Sequence, residues 1–233
     1  MKRIGMAALL LAFLLPASLA HERYGSTRAS ADGIGKTYQG REIAQVMSYH
    51  GAPWLERLER QAEERPDLVL AALDLEPGMT VADIGAGSGF YSWRMGKRIG
   101  EKGTVFAVDI QPEMVEVLQK QMAERGASNV KAVLGTLTDP RLPAGSLDLA
   151  LMVDVYHEFE FPYEMLVAIV RALKPGGRLA FVEYRGNDPK VPIKALHTMT
   201  EAQVKKEAGG QPLEWVRTVS DLPWQLVVVF RKK

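Results

Sequence analysis

The sequence predicts an α/β fold, with a mostly parallel seven-stranded sheet, helices on both faces and an antiparallel hairpin at the C-terminal end. Three observations carry this prediction. Wholly apolar segments alternate with helical patterns, which is typical of parallel strands covered on both faces. One segment runs directly into a glycine-rich turn and a helix. The last two segments lack room for a crossover helix, so we expect them to pair antiparallel.

The predicted elements follow one another along the chain from residue 80. Seven apolar segments are predicted as strands, at residues 80–84, 105–108, 130–134, 147–153, 179–182, 213–219 and 226–230. Helical patterns lie between most of them, at residues 90–99, 112–125, 163–173 and 200–208. The sequence shows no internal repeat, so we expect a single α/β domain.

The first twenty residues have the pattern of a secretory signal peptide. Lys2 and Arg3 precede an apolar run over residues 6–15, and small residues precede a cleavage point after Ala20. The run is shorter than the roughly 20 residues that a membrane span needs. The pattern predicts a periplasmic or secreted protein without a membrane span after cleavage. The alternative is a start codon chosen too early, which would give a cytoplasmic protein.

Two further regions precede the first predicted strand. Residues 21–40 are polar and rich in glycine, which predicts a flexible leader. Residues 41–75 are mostly helical in pattern, with Leu55 and Leu58 three positions apart and Pro66 suited to the first turn of a new helix. We therefore assign residues 41–233 to the folded domain.

Composition excludes several classes of function. Lysine and arginine number 29 against 28 acidic residues, and this net charge of +1 does not favour a nucleic acid partner. The chain has no cysteine, so it has no disulfide and no thiolate nucleophile or ligand. The four histidines, His21, His50, His157 and His197, are far apart in sequence and form no H-E-x-x-H motif, so no metal site is predicted.

The glycine-rich turn occupies residues 83–89, with the sequence Asp-Ile-Gly-Ala-Gly-Ser-Gly. A strand, a glycine turn and a helix start place backbone N–H groups at a helix N-terminus, where they can face a ligand. A dinucleotide site has the spacing G-x-G-x-x-G, but here the third glycine comes one residue early and Phe90 follows it. The alternative is an ordinary tight turn.

This motif resembles motif I of the class I S-adenosylmethionine-dependent methyltransferases. The loop at residues 142–148 and the Lys-Pro-Gly-Gly turn within residues 173–179 are similar to other markers of that family. The resemblance covers roughly residues 66–185 and is closest to the small-molecule group that includes the ubiquinone and menaquinone C-methyltransferases. It implies a Rossmann-like fold, S-adenosylmethionine as cofactor and a helical lid over about residues 41–75.

The resemblance also implies which residues bind the cofactor. Asp83, at the end of the first strand, matches an acid near the methionine end of the cofactor. Asp109 ends the second strand 20 residues after Gly89, where an acid can accept the ribose hydroxyls, although it could instead cap the next helix. The full predicted set is Asp83, Gly85, Ala86, Gly87, Gly89, Asp109, Ile110, Thr136, Leu137 and Asp154. Many relatives carry an acid at or near Thr136, and here Asp139 or the Leu137 backbone could replace it.

Candidate catalytic residues follow the fourth strand, because ligands of open α/β sheets bind at the carboxyl ends of strands. Asp154, His157 and Glu158 are the candidates, and His157 could act as a general base near neutral pH. The alternative is that His157 and Glu158 cap the following helix or pair on the surface. Arg185, after the fifth strand, would suit an anionic substrate.

Tyr49, His50 and Trp54 could belong to the lid or simply pack their helices.

The function predicted from these residues is methyl transfer to a small molecule by in-line displacement at the sulfonium methyl group. The segment after the fourth strand lacks the Asn/Asp-Pro-Pro-aromatic motif of enzymes that methylate amino groups of adenine or glutamine. The alternative is a non-catalytic binding module that retains the fold. The methyl acceptor, the accepting atom and the oligomeric state are left open.

Overall fold

The computed structural model describes residues 23–233. The predicted signal peptide, residues 1–20, lies outside the described residues. Within the described part of the chain, no helix is long and apolar enough to cross a membrane.

The described chain begins with a small antiparallel sheet of three strands in the order β1-β2-β3. The strands are β1 (Tyr24–Ser26), β2 (Gly33–Tyr38) and β3 (Arg41–Ala44). The prediction of a flexible leader over residues 21–40 is therefore wrong for residues 24–26 and 33–38.

Contacts with distant residues hold this small sheet in place. Arg23 and Tyr24 both hydrogen-bond the Glu164 carboxylate, with Arg23 Nη1 3.2 Å from Glu164 Oε1. The Lys36 ammonium lies 3.4 Å from the centre of the Phe161 ring. Because these partners lie more than 120 residues further along the chain, the local polar composition could not reveal them.

The helical region begins after β3 rather than at residue 41. A 3₁₀ turn over Tyr49–Gly51 is followed by three short helices, α1 (Ala52–Leu55), α2 (Arg60–Glu63) and α3 (Pro66–Ala72). Pro66 starts α3, as its fixed φ and missing N–H favour.

The main sheet has seven strands in the order β6-β5-β4-β7-β8-β10-β9. They are β4 (Thr80–Ile84), β5 (Thr104–Asp109), β6 (Val130–Leu134), β7 (Leu147–Val153), β8 (Leu173–Tyr184), β9 (Leu213–Val219) and β10 (Gln225–Lys232). β6, β5, β4, β7 and β8 are parallel to their neighbours in that series, whereas β10 is antiparallel to both β8 and β9. The predicted sheet with its C-terminal hairpin is confirmed.

Helices cover both faces of this sheet, namely α4 (Phe90–Ile99), α5 (Pro112–Glu124), α6 (Pro162–Ala172) and α7 (Glu201–Ala208). Successive strand residues face opposite sides, so Val81 packs in the cluster that contains α3 and α4, and Ala82 packs in the cluster that contains α6 and α7. Both faces of the strands are buried, which explains the wholly apolar segments in the sequence.

The carboxyl ends of the parallel strands meet along one edge of the sheet. β4 ends at Ile84, β5 at Asp109 and β7 at Val153. The loops that leave these ends carry the glycine turn and most of the predicted site residues, so the fold brings them together.

Candidate active site

A cavity of about 460 Å³ lies at this edge of the sheet. That volume falls in the range of about 300–1,000 Å³ that small-molecule sites occupy. Eight predicted site residues line it: Gly85, Gly87, Asp109, Ile110, Leu137, Asp154, His157 and Glu158. Val46, Met47, Trp54 and Leu55 close it from the N-terminal region.

Gly85 and Gly87 form the floor of the cavity beside β4. Their φ angles are +72° and +53°, in the left-handed region that favours glycine. A Cβ on Gly85 would come within 2.4 Å of Val155, and one on Gly87 within 2.5 Å of Leu55. The turn therefore needs glycine both for its backbone conformation and for the close approach of its neighbours.

Ala86 and Gly89 complete the turn without lining the cavity. Gly89 begins α4 with φ +84°, and a Cβ there would meet Leu118 of α5 at 2.5 Å. Ala86 is buried in a cluster with Leu118 and Met122. Both residues pack the glycine turn against α5. They therefore support the position of Gly85 and Gly87 and do not themselves line the cavity.

Asp109 connects the glycine turn to the end of β5. Its Oδ2 accepts the Gly87 N–H at 3.1 Å, and its Oδ1 accepts the Gln111 N–H at 3.0 Å. Burial raises the pKa of this carboxyl group, although the backbone hydrogen bonds oppose that change. Gln111, not Asp109, is the N-cap of α5. Asp109 is thus a buried carboxyl group in the cavity wall.

Asp83 is not part of the cavity wall. It is buried beneath α4, and its Oδ2 accepts the Ser92 hydroxyl at 2.6 Å. Burial raises the pKa of Asp83 to about 6, against the lowering effects of the Ser92 hydrogen bond and of Arg60. The sequence motif identifies the turn that lines the cavity, but the Asp83 side chain contacts Ser92 of α4 and does not line the cavity.

Thr136 also lies outside the cavity wall. Its hydroxyl accepts the Asp139 N–H at 2.9 Å and lies 3.1 Å from the Asp139 carbonyl oxygen, so it closes a local turn. Asp139 directs its carboxylate to Arg171, 2.9 Å away. Of the three residues considered for the adenine contact at this strand end, Leu137 alone lines the cavity.

Asp154 lies half-buried in the cavity wall with φ +50°, a conformation uncommon outside glycine and often found at functional sites. Its Oδ2 accepts the Gln225 amide at 2.6 Å, whereas its Oδ1 has no hydrogen-bond partner among residues 23–233. Burial, followed by the nearby Glu64 and Glu183 carboxylates, raises the pKa of Asp154 well above its usual range. A buried acceptor without a partner is costly, and a ligand that donates a hydrogen bond would satisfy it.

His157 and Glu158 lie in a buried 3₁₀ turn, Tyr156–Glu158, and face the cavity rather than the surface. His157 Nδ1 lies 2.6 Å from Glu183 Oε2, so the ring is held by a buried carboxylate. Burial lowers the pKa of His157, but the charge and hydrogen bond of Glu183 outweigh it, so the pKa is raised. The other ring nitrogen, Nε2, points toward His197.

His197 is a site residue that the sequence did not reveal. Its Nδ1 lies 3.2 Å from His157 Nε2 and 3.4 Å from Glu158 Oε1. It occupies a 3₁₀ turn in the irregular segment between β8 and α7, 40 residues after His157, and no spacing pattern in the sequence marks it.

Arg185 does not line the cavity, contrary to its predicted role with an anionic substrate. Its guanidinium group donates hydrogen bonds to Asp188 and to the carbonyl oxygens of Leu222, Pro223 and Gln225. These contacts hold the loop before β10, so the arginine is structural.

The N-terminal region is fastened over the cavity by side chains of the site. The Gln111 amide donates to the Met47 carbonyl and accepts the Tyr49 N–H, both at 2.9 Å. Glu158 Oε2 accepts the Met47 N–H at 3.2 Å. Trp54 lines the cavity, whereas Tyr49 and His50 stack on each other outside its wall, with ring centres 4.1 Å apart. This region has the position of a lid.

Comparison with known proteins identifies the family. Residues 75–220 match the methyltransferase domain family, which is more than half of the chain. The chain belongs to this family. The matched region runs from just before β4 into the loop between β9 and β10, and it includes the glycine turn, Asp109, His157, Glu158 and His197.

Solved structures share the fold of this methyltransferase domain. An S-adenosylmethionine-dependent methyltransferase from Aquifex aeolicus superposes with a TM-score of 0.77 at 26% identity, over 81% of this chain and 100% of that chain. The cyclase SpnF superposes with a TM-score of 0.61 at 16% identity, over 72% of this chain and 79% of its own. The second likeness concerns the fold alone.

Curated relatives match part of the chain. Nocamycin O-methyltransferase of Saccharothrix syringae is 33% identical over 48% of this chain and 40% of its own length. A protein-L-isoaspartate O-methyltransferase of Pyrococcus horikoshii is 28% identical over 61% of this chain and 58% of its own. The matches therefore span about half the length of these relatives.

The family and the fold imply S-adenosylmethionine as cofactor, and the cavity fits it on two observations. The first is the turn at Gly85 and Gly87, which lines the cavity with backbone alone and so lets a ligand approach the main chain. The second is the pair of acids in the wall, Asp109 and Asp154, of which Asp154 has a buried oxygen without a partner among the described residues. Carboxylates suit a ligand that presents ribose hydroxyls and an ammonium group.

Proposed function

We propose that this protein transfers a methyl group from S-adenosylmethionine to a small-molecule acceptor by in-line displacement at the sulfonium methyl. The observation that carries the proposal is the continuity of the cavity. The glycine turn and Asp109 line the same cavity as His157, Glu158 and His197. A cofactor held by the glycine turn and Asp109 would present its methyl group to an acceptor beside His157, Glu158 and His197.

Each cofactor contact follows from the position of the side chain. Asp109 would accept the ribose hydroxyls, and Gly85 and Gly87 would let the cofactor approach the backbone. Asp154 Oδ1, which has no partner among residues 23–233, would accept a hydrogen bond from the ammonium group of the methionine part. The cofactor supplies an activated methyl group, so the protein needs to orient the acceptor and exclude water.

His157, Glu158 and His197 would hold the acceptor. His157, with Glu158 beside it, is a candidate to accept a proton from acceptors that carry one, and Glu183 fixes the orientation of the ring. Asp154 lines the same cavity. Other acceptor contacts would be apolar, since Phe159, Met165 and Ile193 also line this cavity.

The nature of the acceptor is proposed from charge and from relatives. The chain has a near-neutral charge, which favours a small molecule over nucleic acid. Aklanonic acid methyltransferase DauC of Streptomyces is 34% identical over 45% of this chain. Its name and that of nocamycin O-methyltransferase both indicate small-molecule acceptors. We include quinone precursors among the candidate acceptor classes, because the sequence markers resemble those of the ubiquinone and menaquinone C-methyltransferases.

Isotope transfer tests this function. The purified protein is incubated with S-adenosylmethionine labelled in its methyl group and with a small-molecule extract. We expect label in a low-molecular-weight product together with release of S-adenosylhomocysteine. Cofactor binding without transfer to any fraction would favour a non-catalytic binding module that retains the fold.

We also propose that the protein is exported, on the pattern of residues 1–20. The mature chain would then begin at His21, two residues before the first described residue. Amino-terminal sequencing of the protein from the cell envelope tests this. A chain that retains Met1 or begins later in the cytoplasm would contradict export.

A further inference from the structure

We propose that His157, Glu158 and His197 form a binding site for one divalent transition-metal ion, on the acceptor side of the cavity. The inference rests on the proposed function in one respect, namely that the ion would contact the methyl acceptor. The site itself rests on the geometry of the three side chains.

The distances among the three ligand atoms match those around a metal ion. His157 Nε2 and His197 Nδ1 are 3.2 Å apart, His197 Nδ1 and Glu158 Oε1 are 3.4 Å apart, and His157 Nε2 and Glu158 Oε1 are 3.9 Å apart. Tetrahedral ligands at about 2.1 Å from an ion lie about 3.4 Å from one another. The triangle could therefore surround an ion with little movement.

The ligand atoms are oriented by fixed partners. The buried Glu183 carboxylate accepts a hydrogen bond from the N–H at His157 Nδ1 over 2.6 Å. This leaves the lone pair on His157 Nε2, which is directed at the proposed ion. Glu158 uses its other oxygen, Oε2, to accept the Met47 N–H, so Oε1 is free to bind the ion. A carboxylate behind a ligating histidine is the usual support of such sites.

The cluster has the composition of a catalytic rather than a structural metal site. It offers three protein ligands and opens into the cavity, so further coordination positions would be filled by water or by the acceptor. Two imidazoles and one carboxylate, without cysteine, suit Zn²⁺, Fe²⁺ or Mn²⁺. The charges of Glu158 and Glu183 would balance that of a divalent cation.

The ion would select acceptors that coordinate through a hydroxyl or thiol group. In this arrangement His157 binds the ion and no longer serves as the proton acceptor, because coordination lowers the pKa of the acceptor group, which loses its proton to solvent. The acceptor oxygen or sulfur then forms a bond to the methyl carbon as the carbon–sulfur bond of the cofactor breaks. The electron pair stays on the cofactor sulfur, and S-adenosylhomocysteine leaves uncharged.

Metal titration of the chelator-treated protein tests the site. Calorimetry with Zn²⁺ and visible absorption with Co²⁺ should both report one ion per chain. His197→Ala and Glu158→Gln should weaken binding by about tenfold or more, and Glu183→Gln by about tenfold through the lost support. The matched control is His50→Ala, an exposed histidine outside the cavity wall, which should bind as the wild type does.

The outcomes separate this inference from the proposed function. Absence of stoichiometric binding, or binding that His197→Ala and Glu158→Gln leave unchanged, would overturn the metal site. Calorimetry with S-adenosylmethionine on the same samples measures cofactor binding independently of metal binding. If the cofactor binds and methyl transfer proceeds without any metal, the proposed function stands and the metal site falls. If the metal binds but the cofactor does not, the role of the ion in methyl transfer falls.

Discussion

The backbone N–H of Gly87 donates a hydrogen bond to Asp109 Oδ2 over 3.1 Å. This bond joins the glycine turn after β4 to the carboxylate at the end of β5. The two features that the sequence marks as a cofactor site are therefore one structural unit, and a change in either should affect both.

Replacing Asp109 with alanine should weaken cofactor binding about 100-fold, because charge-assisted hydrogen bonds to the ribose are lost. The free energy of unfolding should fall by only about 1–3 kcal/mol, since the Gly87 and Gln111 N–H groups lose their acceptor. Calorimetry and urea denaturation measure the two effects. Asp148→Ala is the matched control, because Asp148 also accepts a backbone N–H, that of Thr80 at 2.8 Å, but lies outside the cavity wall. Equal loss of affinity in both variants would refute the ribose role.

Replacing Gly87 with alanine should abolish measurable cofactor binding. The new Cβ would lie 2.5 Å from Leu55 Cδ1 and in a backbone conformation with φ +53°. Gly78→Ala serves as control, since Gly78 has φ +86° and its Cβ would meet nothing within 4 Å. Both variants should lose about 1–2 kcal/mol of stability from backbone strain. Gly87→Ala alone should lose binding, and retention of affinity in that variant would argue against close approach at the turn.

Asp83 should make the protein less stable as the pH rises. Its pKa is raised from 3.8 to about 6, so the folded state holds the proton more tightly than the unfolded state does. The resulting stabilisation is complete below the unfolded pKa and is lost as the pH rises through about 6. Asp83→Asn removes this dependence, so its stability relative to the wild type should improve by about 2 kcal/mol between pH 4 and pH 7.

Urea denaturation across this pH range measures the difference. Ser92→Ala provides an internal check, because loss of the Ser92 hydroxyl should raise the pKa of Asp83 further and move the transition to higher pH. A constant difference between Asp83→Asn and the wild type would mean that Asp83 titrates normally.

Replacing Gln111 with alanine should loosen the lid. It removes both the hydrogen bond to the Met47 carbonyl and the one from the Tyr49 N–H. Amide exchange over residues 45–58 should become faster, while exchange in β4 and β5 stays the same. Gln61→Ala, at an exposed position in α2, is the control and should leave exchange in this segment unchanged. Unaltered exchange in Gln111→Ala would show that other contacts hold the lid.

The main sheet and the glycine turn could be predicted because they depend on local and repeated patterns. Apolar segments bounded by turns mark buried parallel strands, and Gly85 and Gly87 are required by their own backbone angles. Asp109 could be found because its distance from the turn follows from the length of a strand and helix. These features are encoded within short stretches of sequence.

The rest depends on contacts between distant residues. Strands β1 to β3 have a polar, glycine-rich sequence and are held by partners such as Glu164 and Phe161. His197 reaches His157 only because an irregular segment folds back over the sheet edge. Asp83 shows the opposite case, in which the motif is correct but the side chain turns toward Ser92 and away from the cavity.

A crystal structure with S-adenosylhomocysteine bound tests the central claim most directly. We expect the ribose hydroxyls within hydrogen-bond distance of Asp109, the amino group near Asp154 Oδ1, and the sulfur facing His157, Glu158 and His197 across the cavity. Density for the ligand outside this cavity, or a ribose remote from Asp109 with the sulfur turned from the histidine cluster, would contradict the account.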